Sequence, residues 1–423
     1  MNPRKLLLDS FNAAIAAVDP LLIVPQQLPR PPRGRTLVVG AGKAAAAMAL
    51  AVENHWPETA MLNGIVVTRY GHGLPTRRIT VIEAGHPLPD AQGEQAAREI
   101  LTQVNQLGPD DLLLCLLSGG GSSLLSLPLA GVALHDLKAV TQELLRSGAT
   151  IQEINTVRKH LSAIQGGRLA ASCRAPVLAL VISDVTGDDP THVASGPCAP
   201  DPTTYRQALE ILERYQISTP TAVMDMLLAG KQGKLTETPK PGNAVFSQVE
   251  NRVIARAHDS LVAAGEFFRN QGIPAAILGD AVTGEARAVA RVYAALIKEI
   301  RHCGHPWKPP VVFISGGETT VTVNGNGRGG RNAEFLLALA IELDGIKNVH
   351  ALACDTDGID GTEHNAGAIT TPDSLRRARK LGSNAATALT DNDSYTFFNQ
   401  LNDLIVTGPT RTNVNDYRAI LVL

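Results

Sequence analysis

The sequence predicts an α/β protein of two domains, the first with a mainly parallel sheet and the second with a mixed sheet. Three observations carry that prediction. Short β-branched or leucine-rich runs alternate with longer, Ala-rich helical patterns along most of the chain. At 423 residues the chain exceeds what one ordinary core holds. A polar segment bearing Pro and Gly, residues 231–243 (KQGKLTETPKPGN), interrupts the alternation and reads as a linker. The boundary is therefore set near residue 240, with domains at 1–240 and 241–423.

Residues 1–20 (MNPRKLLLDSFNAAIAAVDP) hold a short apolar patch broken by Asp9, Asn12 and Asp19, so they read as an amphipathic helix and not a signal peptide. Strands follow at 36–39 (TLVV), 64–68 (GIVVT), 79–83 (ITVIE), 111–117 and 177–183 (VLALVIS), with helices over 43–53 and 90–106 between them. In a parallel sheet the loops after the strands carry the ligand site. Past the linker the expected elements are a strand at 252–256, a helix over 258–272, a strand at 275–278 and a helix over 284–301. Further strands are expected at 311–314, 319–323, 350–354, 366–369, 403–407 and 418–423.

Composition narrows the function. Apolar residues make up 44% and charged residues 18%, a globular balance. A formal net charge of −2 and the lack of any basic run argue against nucleic-acid binding. No apolar stretch approaches the length of a membrane span. Five scattered cysteines without a CxxC pair suit a reduced compartment, so a cytoplasmic location is expected. The histidines lack HxH or HxxxH spacing, which disfavours zinc, and no G-x-S-x-G elbow occurs.

The chemistry concentrates in glycine-rich loops. The apolar run 112–117 enters Ser118-Gly119-Gly120-Gly121-Ser122-Ser123, and 311–314 enters Ser315-Gly316-Gly317-Glu318. A strand that opens into Ser-Gly-Gly exposes backbone N–H groups suited to anionic oxygens. A plain turn needs only one glycine, so the second and third at 118–123 favour close approach by a ligand. Residues 118–123 with Gly316 and Gly317 are the candidate nucleotide-phosphate binders. Lys43, one step past Gly40-x-Gly42 and at an expected helix start, opposes the helix dipole and needs an anion to explain it. Asp184 and Asp189, just beyond a strand, are candidate Mg²⁺ ligands, with an Asx turn accounting for at least one acid of the segment.

In the second domain, Arg328 and Arg331 sit among glycines at 324–335, and Arg331 at a helix start is preferred for gripping a carboxylate or phosphate. Asp355 and Asp357 lie in 353–361 (ACDTDGIDG), where the lack of a glutamate at the twelfth position rejects a calcium loop. Glu318 and His86, the latter in a loop fixed by Gly and Pro, complete the set as candidate substrate contacts.

Together these segments resemble the glycerate 2-kinases of the MOFRL type, the class II glycerate kinases. The tartrate-utilisation proteins formerly labelled hydroxypyruvate reductases belong to the same family. The matching stretches are 38–43 (VVGAGK), 84–90 (AGHPLPD), 118–125 (SGGGSSLL), 154–160 (INTVRKH), 182–197 (ISDVTGDDPTHVASGP), 315–320 (SGGETT), 328–334 (RGGRNAE), 355–361 (DTDGIDG) and 406–416 (VTGPTRTNVND). Arg411 departs from the glycine expected in many members. The resemblance implies an N-terminal Rossmann-like three-layer domain, a C-terminal MOFRL domain and an active site in the cleft between them. It implies transfer of the γ-phosphoryl of ATP, with Mg²⁺, to the 2-hydroxyl of D-glycerate. It also implies functional roles for Lys43 and for an arginine of 328–331. The expected partner is this small-molecule substrate, and a homodimer is compatible with the sequence.

The competing reading is an NAD(P)H-dependent hydroxypyruvate reductase, supported by Gly40-x-Gly42-x-x-Ala45 after a strand. Against it, 64–70 (GIVVTRY) lacks the acid that holds a ribose hydroxyl. A non-catalytic sensor of organic acids would leave the acidic segments unexplained.

Overall fold

The computed structural model describes residues 2–423. The chain forms two compact units, Pro20–Ala255 and a second made of the residues up to Asp19 together with Arg256–Leu423.

The first unit is built on six strands: β1 (Thr36–Ala41), β2 (Leu62–Arg69), β3 (Ile79–Ala84), β4 (Leu112–Leu117), β5 (Val177–Ile182) and β6 (Val249–Ala255). They lie in the order β3-β2-β1-β4-β5-β6, and every pairing is parallel. β1, β4 and β5 are buried along their whole length, which is why they read as continuous apolar runs instead of alternating ones. Helix Ala45–His55 and helix Ala91–Val104 supply two of the crossovers, the latter capped by Asp90, whose Oδ1 accepts from the Gly93 N–H at 3.0 Å. From β1 the chain builds outward first to β2 and β3, and then resumes on the other side with β4. The strand order therefore reverses between β1 and β4, the place where open α/β sheets bind ligands.

The second unit holds β7 (Ala275–Gly279), β8 (Gly284–Glu285), β9 (Val311–Gly317), β10 (Thr319–Thr320), β11 (Val349–Asp355), β12 (Gly367–Thr370), β13 (Leu404–Ile405) and β14 (Asp416–Val422). Its main sheet runs β13-β12-β11-β14-β9-β7 and is mixed, with β7 parallel to β9 and the other pairs antiparallel. Phe313, Phe335, Leu336 and Ile420 lie in the core on one side, while Leu261, Phe268, Ile314 and Tyr417 pack in a second cluster.

Three expectations need correction. The strand expected at 252–256 opens no second domain; as β6 it closes the first sheet beside β5. The segment 231–243 is no free linker, because it is pinned to the first unit. Glu237 meets His160 at 3.2 Å, and Thr238 donates to Asp201 at 2.9 Å. The N-terminal helix Pro3–Ala16 belongs with the second unit, not the first. Its Leu6, Leu7, Phe11 and Ala14 join the cluster around Phe268 and Tyr417, and Ser10 accepts from the Tyr417 hydroxyl at 2.9 Å. The sheet face beside helix Ala257–Asn270 is wider than that helix covers, and the first helix fills the remainder. Among the described residues no single helix is long and apolar enough to cross a membrane.

Candidate active site

At the carboxyl ends of β1 and β4, two loops interlock. Gly42 has φ 141, and a Cβ placed on it would lie 2.1 Å from Ser118 Oγ. Ser118 Oγ accepts the Ala44 N–H at 3.0 Å, and the Gly119 carbonyl accepts the Lys43 N–H at 2.9 Å. The Ala45 N–H is taken by the Gly42 carbonyl. The N–H groups of Lys43, Ala44 and Ala45 are thus spent on protein, and the space beside Gly42 is filled by Ser118. The dinucleotide fingerprint has the right spacing here, but its second glycine packs against Ser118.

The loop 118–123 keeps unused donors, with Gly120 and Ser122 partly exposed and the rest buried. The N–H groups of Gly119, Gly120 and Ser122 donate to no protein acceptor among the described residues. Gly120 sits at φ 82, and a Cβ there would come within 3.0 Å of the His86 ring and 3.4 Å of Lys43 Cγ. Gly121 is excluded from being larger by Ala194, whose Cβ would be 2.5 Å away. Ser122 is held from two sides: its hydroxyl accepts from Ser195 Oγ at 2.8 Å, and its carbonyl accepts from Gln165 Nε2 at 2.8 Å. Ala194 and Ser195, at φ 51 and 58, both hold left-handed backbone that non-glycine residues seldom adopt. Strained backbone of this kind is retained where surrounding structure over-determines it, often at functional sites.

The electrostatics are cationic. Burial, followed by the positive charges of Lys43, Arg69, Arg158 and His72, pushes His86 down to about 3, so its ring is neutral at pH 7. Arg158 is buried, and burial alone pulls its guanidinium down to about 10. Four side chains able to carry positive charge therefore act on one imidazole beside a loop with unused N–H donors. Arg158 was legible only as part of the family stretch 154–160, and nothing in its spacing marked it as a site residue.

Asp184 follows β5 at the same sheet edge and is half-buried. Asp189 is exposed and accepts the Thr191 N–H at 2.9 Å, an Asx turn that accounts for it locally. Among the described residues no three His, Cys, Asp or Glu side chains are grouped to hold a metal. The donor set fits a Mg²⁺ that arrives on phosphate oxygens and takes one protein carboxylate, and does not fit an all-protein cage.

The second unit presents a different cluster. Arg331 opens helix Arg331–Leu343 and is surrounded by acids. Its Nε meets Asp416 at 2.9 and 3.0 Å, its Nη2 meets Asp355 at 2.8 Å and its Nη1 meets Glu318 at 2.7 Å. Burial opposes its charge, yet the three carboxylates outweigh burial and hold the guanidinium well above its ordinary range. The fork expected to be open for a substrate is thus occupied, with Glu318, 57% exposed, the least buried of the three acids.

Arg328 is further committed. Its Nε donates to Glu363 at 3.1 Å, its Nη2 contacts the same carboxylate, and its guanidinium stacks over Tyr395 at 4.6 Å. Asp357 accepts the Ile359 N–H at 2.8 Å, and Asp355 accepts the Asp357 N–H at 3.0 Å. The buried Asp360 accepts the N–H groups of Asn332 and Ala333, capping the helix that Arg331 begins. Gly316 and Gly317 are not a phosphate loop: both lie within β9, opposite Tyr417 and Asp416, and a Cβ on Gly317 would strike Val282 at 2.4 Å. Close packing accounts for the repeated Ser-Gly-Gly here, and the resemblance to 118–120 ends at the sequence.

Two family models match the chain: a domain of unknown function (DUF4147) over residues 6–228, and the MOFRL family over 311–416. The chain is 50% identical to a putative hydroxypyruvate reductase of Agrobacterium vitis, over 100% of this chain and 95% of the relative. It is 41% identical to the D-glycerate 2-kinase of Thermotoga maritima, over 98% and 97% respectively. Among solved structures, a glycerate kinase from Thermotoga maritima superposes with a TM-score of 0.87 at 40% identity, covering 99% of each chain.

Proposed function

We propose that this chain, which belongs to the MOFRL-containing glycerate kinase family, is a D-glycerate 2-kinase that uses ATP and Mg²⁺ and yields 2-phosphoglycerate. The observation that carries the reading is the loop 118–123, with its unused N–H donors among Lys43, Arg69, Arg158 and His72. Phosphoryl transfer asks a protein for positioning and charge neutralisation more than for covalent chemistry. The Gly119 and Gly120 N–H groups would take nucleotide phosphate oxygens, and Lys43 would neutralise charge on the group being transferred. Asp184 would hold Mg²⁺, which when bound would supply charge neutralisation to the phosphate oxygens.

Arg331 we assign to the hydroxy-acid carboxylate, which would replace the exposed Glu318 at the Nη1 edge. Of the two acids in this loop, Asp355 pairs with Arg331, and we assign Asp357 to the proton of the acceptor hydroxyl. Asp357→Asn should then lower kcat with the KM for D-glycerate retained; unchanged kcat would remove the role.

The test of the whole reading is incubation with ATP, Mg²⁺ and D-glycerate, followed by phosphorus NMR. A 2-phosphoglycerate signal supports it, and a 3-phosphoglycerate signal moves the site of transfer. No phosphorylated product, with NADH oxidation by hydroxypyruvate, favours the reductase. The packing of Gly42 against Ser118 speaks against that outcome.

A further inference from the structure

On the side of the glycine loop toward helix Ile151–His160 lies a small cavity with about 10 Å³ of free volume, lined by Pro89, Ser122, Ser123, Thr141, Arg158 and Gln165 among others. That is room for about one water-sized group. None of its lining side chains is a carboxylate. Arg158 is 9% exposed, and its guanidinium has no hydrogen bond or ion pair to protein among the described residues. Buried arginines are ordinarily paired, because desolvating a guanidinium without a partner is costly. The adjacent Lys159, buried one residue on, shows the ordinary arrangement with Asp201 at 3.5 Å. The contrast between neighbours on one helix turn indicates that the missing partner of Arg158 is a ligand.

We infer that Arg158 is an anion receptor, and that one oxygen of a bound oxyanion occupies this cavity between its guanidinium and the Ser122-Ser123 turn. The shared chemistry is a planar or tetrahedral oxyanion, supplied either by a nucleotide phosphate or by the carboxylate of the hydroxy acid. This deepens the kinase reading and rests on it for the identity of the anion. The site is neutral apart from the arginine, so the ligand's negative charge supplies the compensation the protein withholds.

The experiment compares the full-length wild type with Arg158→Met and Arg158→Lys. It reads melting temperature without ligand, calorimetric binding of inorganic phosphate, ATP and D-glycerate, and the KM of each substrate. Removing an uncompensated buried charge should leave the melting temperature of Arg158→Met unchanged or raise it. Loss of a charge-assisted contact should weaken binding of the anion about tenfold or more, with Arg158→Lys between the two. Weakening confined to ATP and phosphate identifies the nucleotide, and weakening confined to D-glycerate identifies the carboxylate.

A lower melting temperature with all affinities unchanged overturns the inference, because Arg158 would then serve structure alone. Should Arg158→Met not fold, Arg158→Lys decides, and unchanged affinities there overturn it equally. A wild type without phosphoryl transfer refutes the kinase reading, while the phosphate-binding comparison still decides Arg158.

Discussion

Ser118 Oγ occupies the space that a Gly42 side chain would need, 2.1 Å from its Cβ position, and accepts the Ala44 N–H at 3.0 Å. One contact therefore joins the ends of β1 and β4 and closes the glycine turn to a dinucleotide. Gly42→Ala should cost ~2–4 kcal/mol, since it adds a clash to a backbone conformation that side chains rarely adopt. Ser118→Ala should cost only about 1 kcal/mol, the value of one lost cap-like hydrogen bond. Urea denaturation checks both, and calorimetry should find no NADH binding to either variant or to wild type. Saturable NADH binding to wild type would show that the turn opens.

His86 and Asp360 should tilt stability against pH in opposite directions. His86 is pushed from 6.5 down to about 3 by burial and then by nearby positive charge. The unfolded chain takes up that proton first, so stability is lost as pH falls from about 6.5 towards 3. Asp360 is raised from 3.8 to about 7, chiefly by burial, so the folded state keeps a proton the unfolded chain has released. Its contribution is lost as pH rises from about 4 to 7. Each slope is at most about 1.4 kcal/mol per pH unit, and between pH 4 and 6.5 they oppose each other. Relative to wild type, His86→Asn should gain stability on acidification and Asp360→Asn on alkalinisation, read from urea midpoints at pH 4.5, 5.5 and 6.5. Variant curves parallel to wild type would refute both assignments.

Arg411 holds φ 61, a left-handed backbone in the last loop of the chain, at the position where glycine was expected. An L-residue there costs roughly 1–2 kcal/mol, while glycine costs more chain entropy on folding. The Arg411 Nε is buried without a hydrogen-bond partner, so little side-chain bonding is lost on its removal. Arg411→Gly should therefore raise stability by up to ~1 kcal/mol, visible as a higher urea midpoint. A lower midpoint would mean that the arginine's packing outweighs its backbone strain.

How much of this was legible depended on whether the cause was local. The buried strands β1, β4 and β5 announce themselves as apolar runs, and the loop after β4 carries more glycine than a turn needs. The two Ser-Gly-Gly segments look alike because a strand end that needs close backbone approach selects glycine for any neighbour, ligand or protein. Only the structure shows Val282 against Gly317 and unused N–H groups at Gly119 and Gly120. Arg158 was hidden because its distinction is the lack of a partner, which is a three-dimensional property. The placement of the first helix on the second unit was equally beyond pattern reading, since amphipathicity tells that a face is buried and not against what.

Arg331 sets the last prediction, because it couples function to stability. Asp416 and Asp355 are buried with Arg331 between them, and Asp416 is shared with the buried Arg418 at 2.6 Å. Arg331→Met would leave Asp355 without that partner and Asp416 with Arg418 as its cationic partner beside the Asn332 amide, at a cost of ~3–5 kcal/mol. Loss of activity in that variant would therefore report unfolding as much as chemistry. Glu318 gives the cleaner reading: it is mostly exposed, so Glu318→Gln should change stability by less than about 1 kcal/mol. If the substrate carboxylate replaces Glu318 at the Nη1 edge, the neutral amide competes less well, and the KM for D-glycerate should fall several-fold with the KM for ATP unchanged. An unchanged or higher KM for D-glycerate would place the carboxylate elsewhere and reduce Arg331 to a structural hub of the second unit.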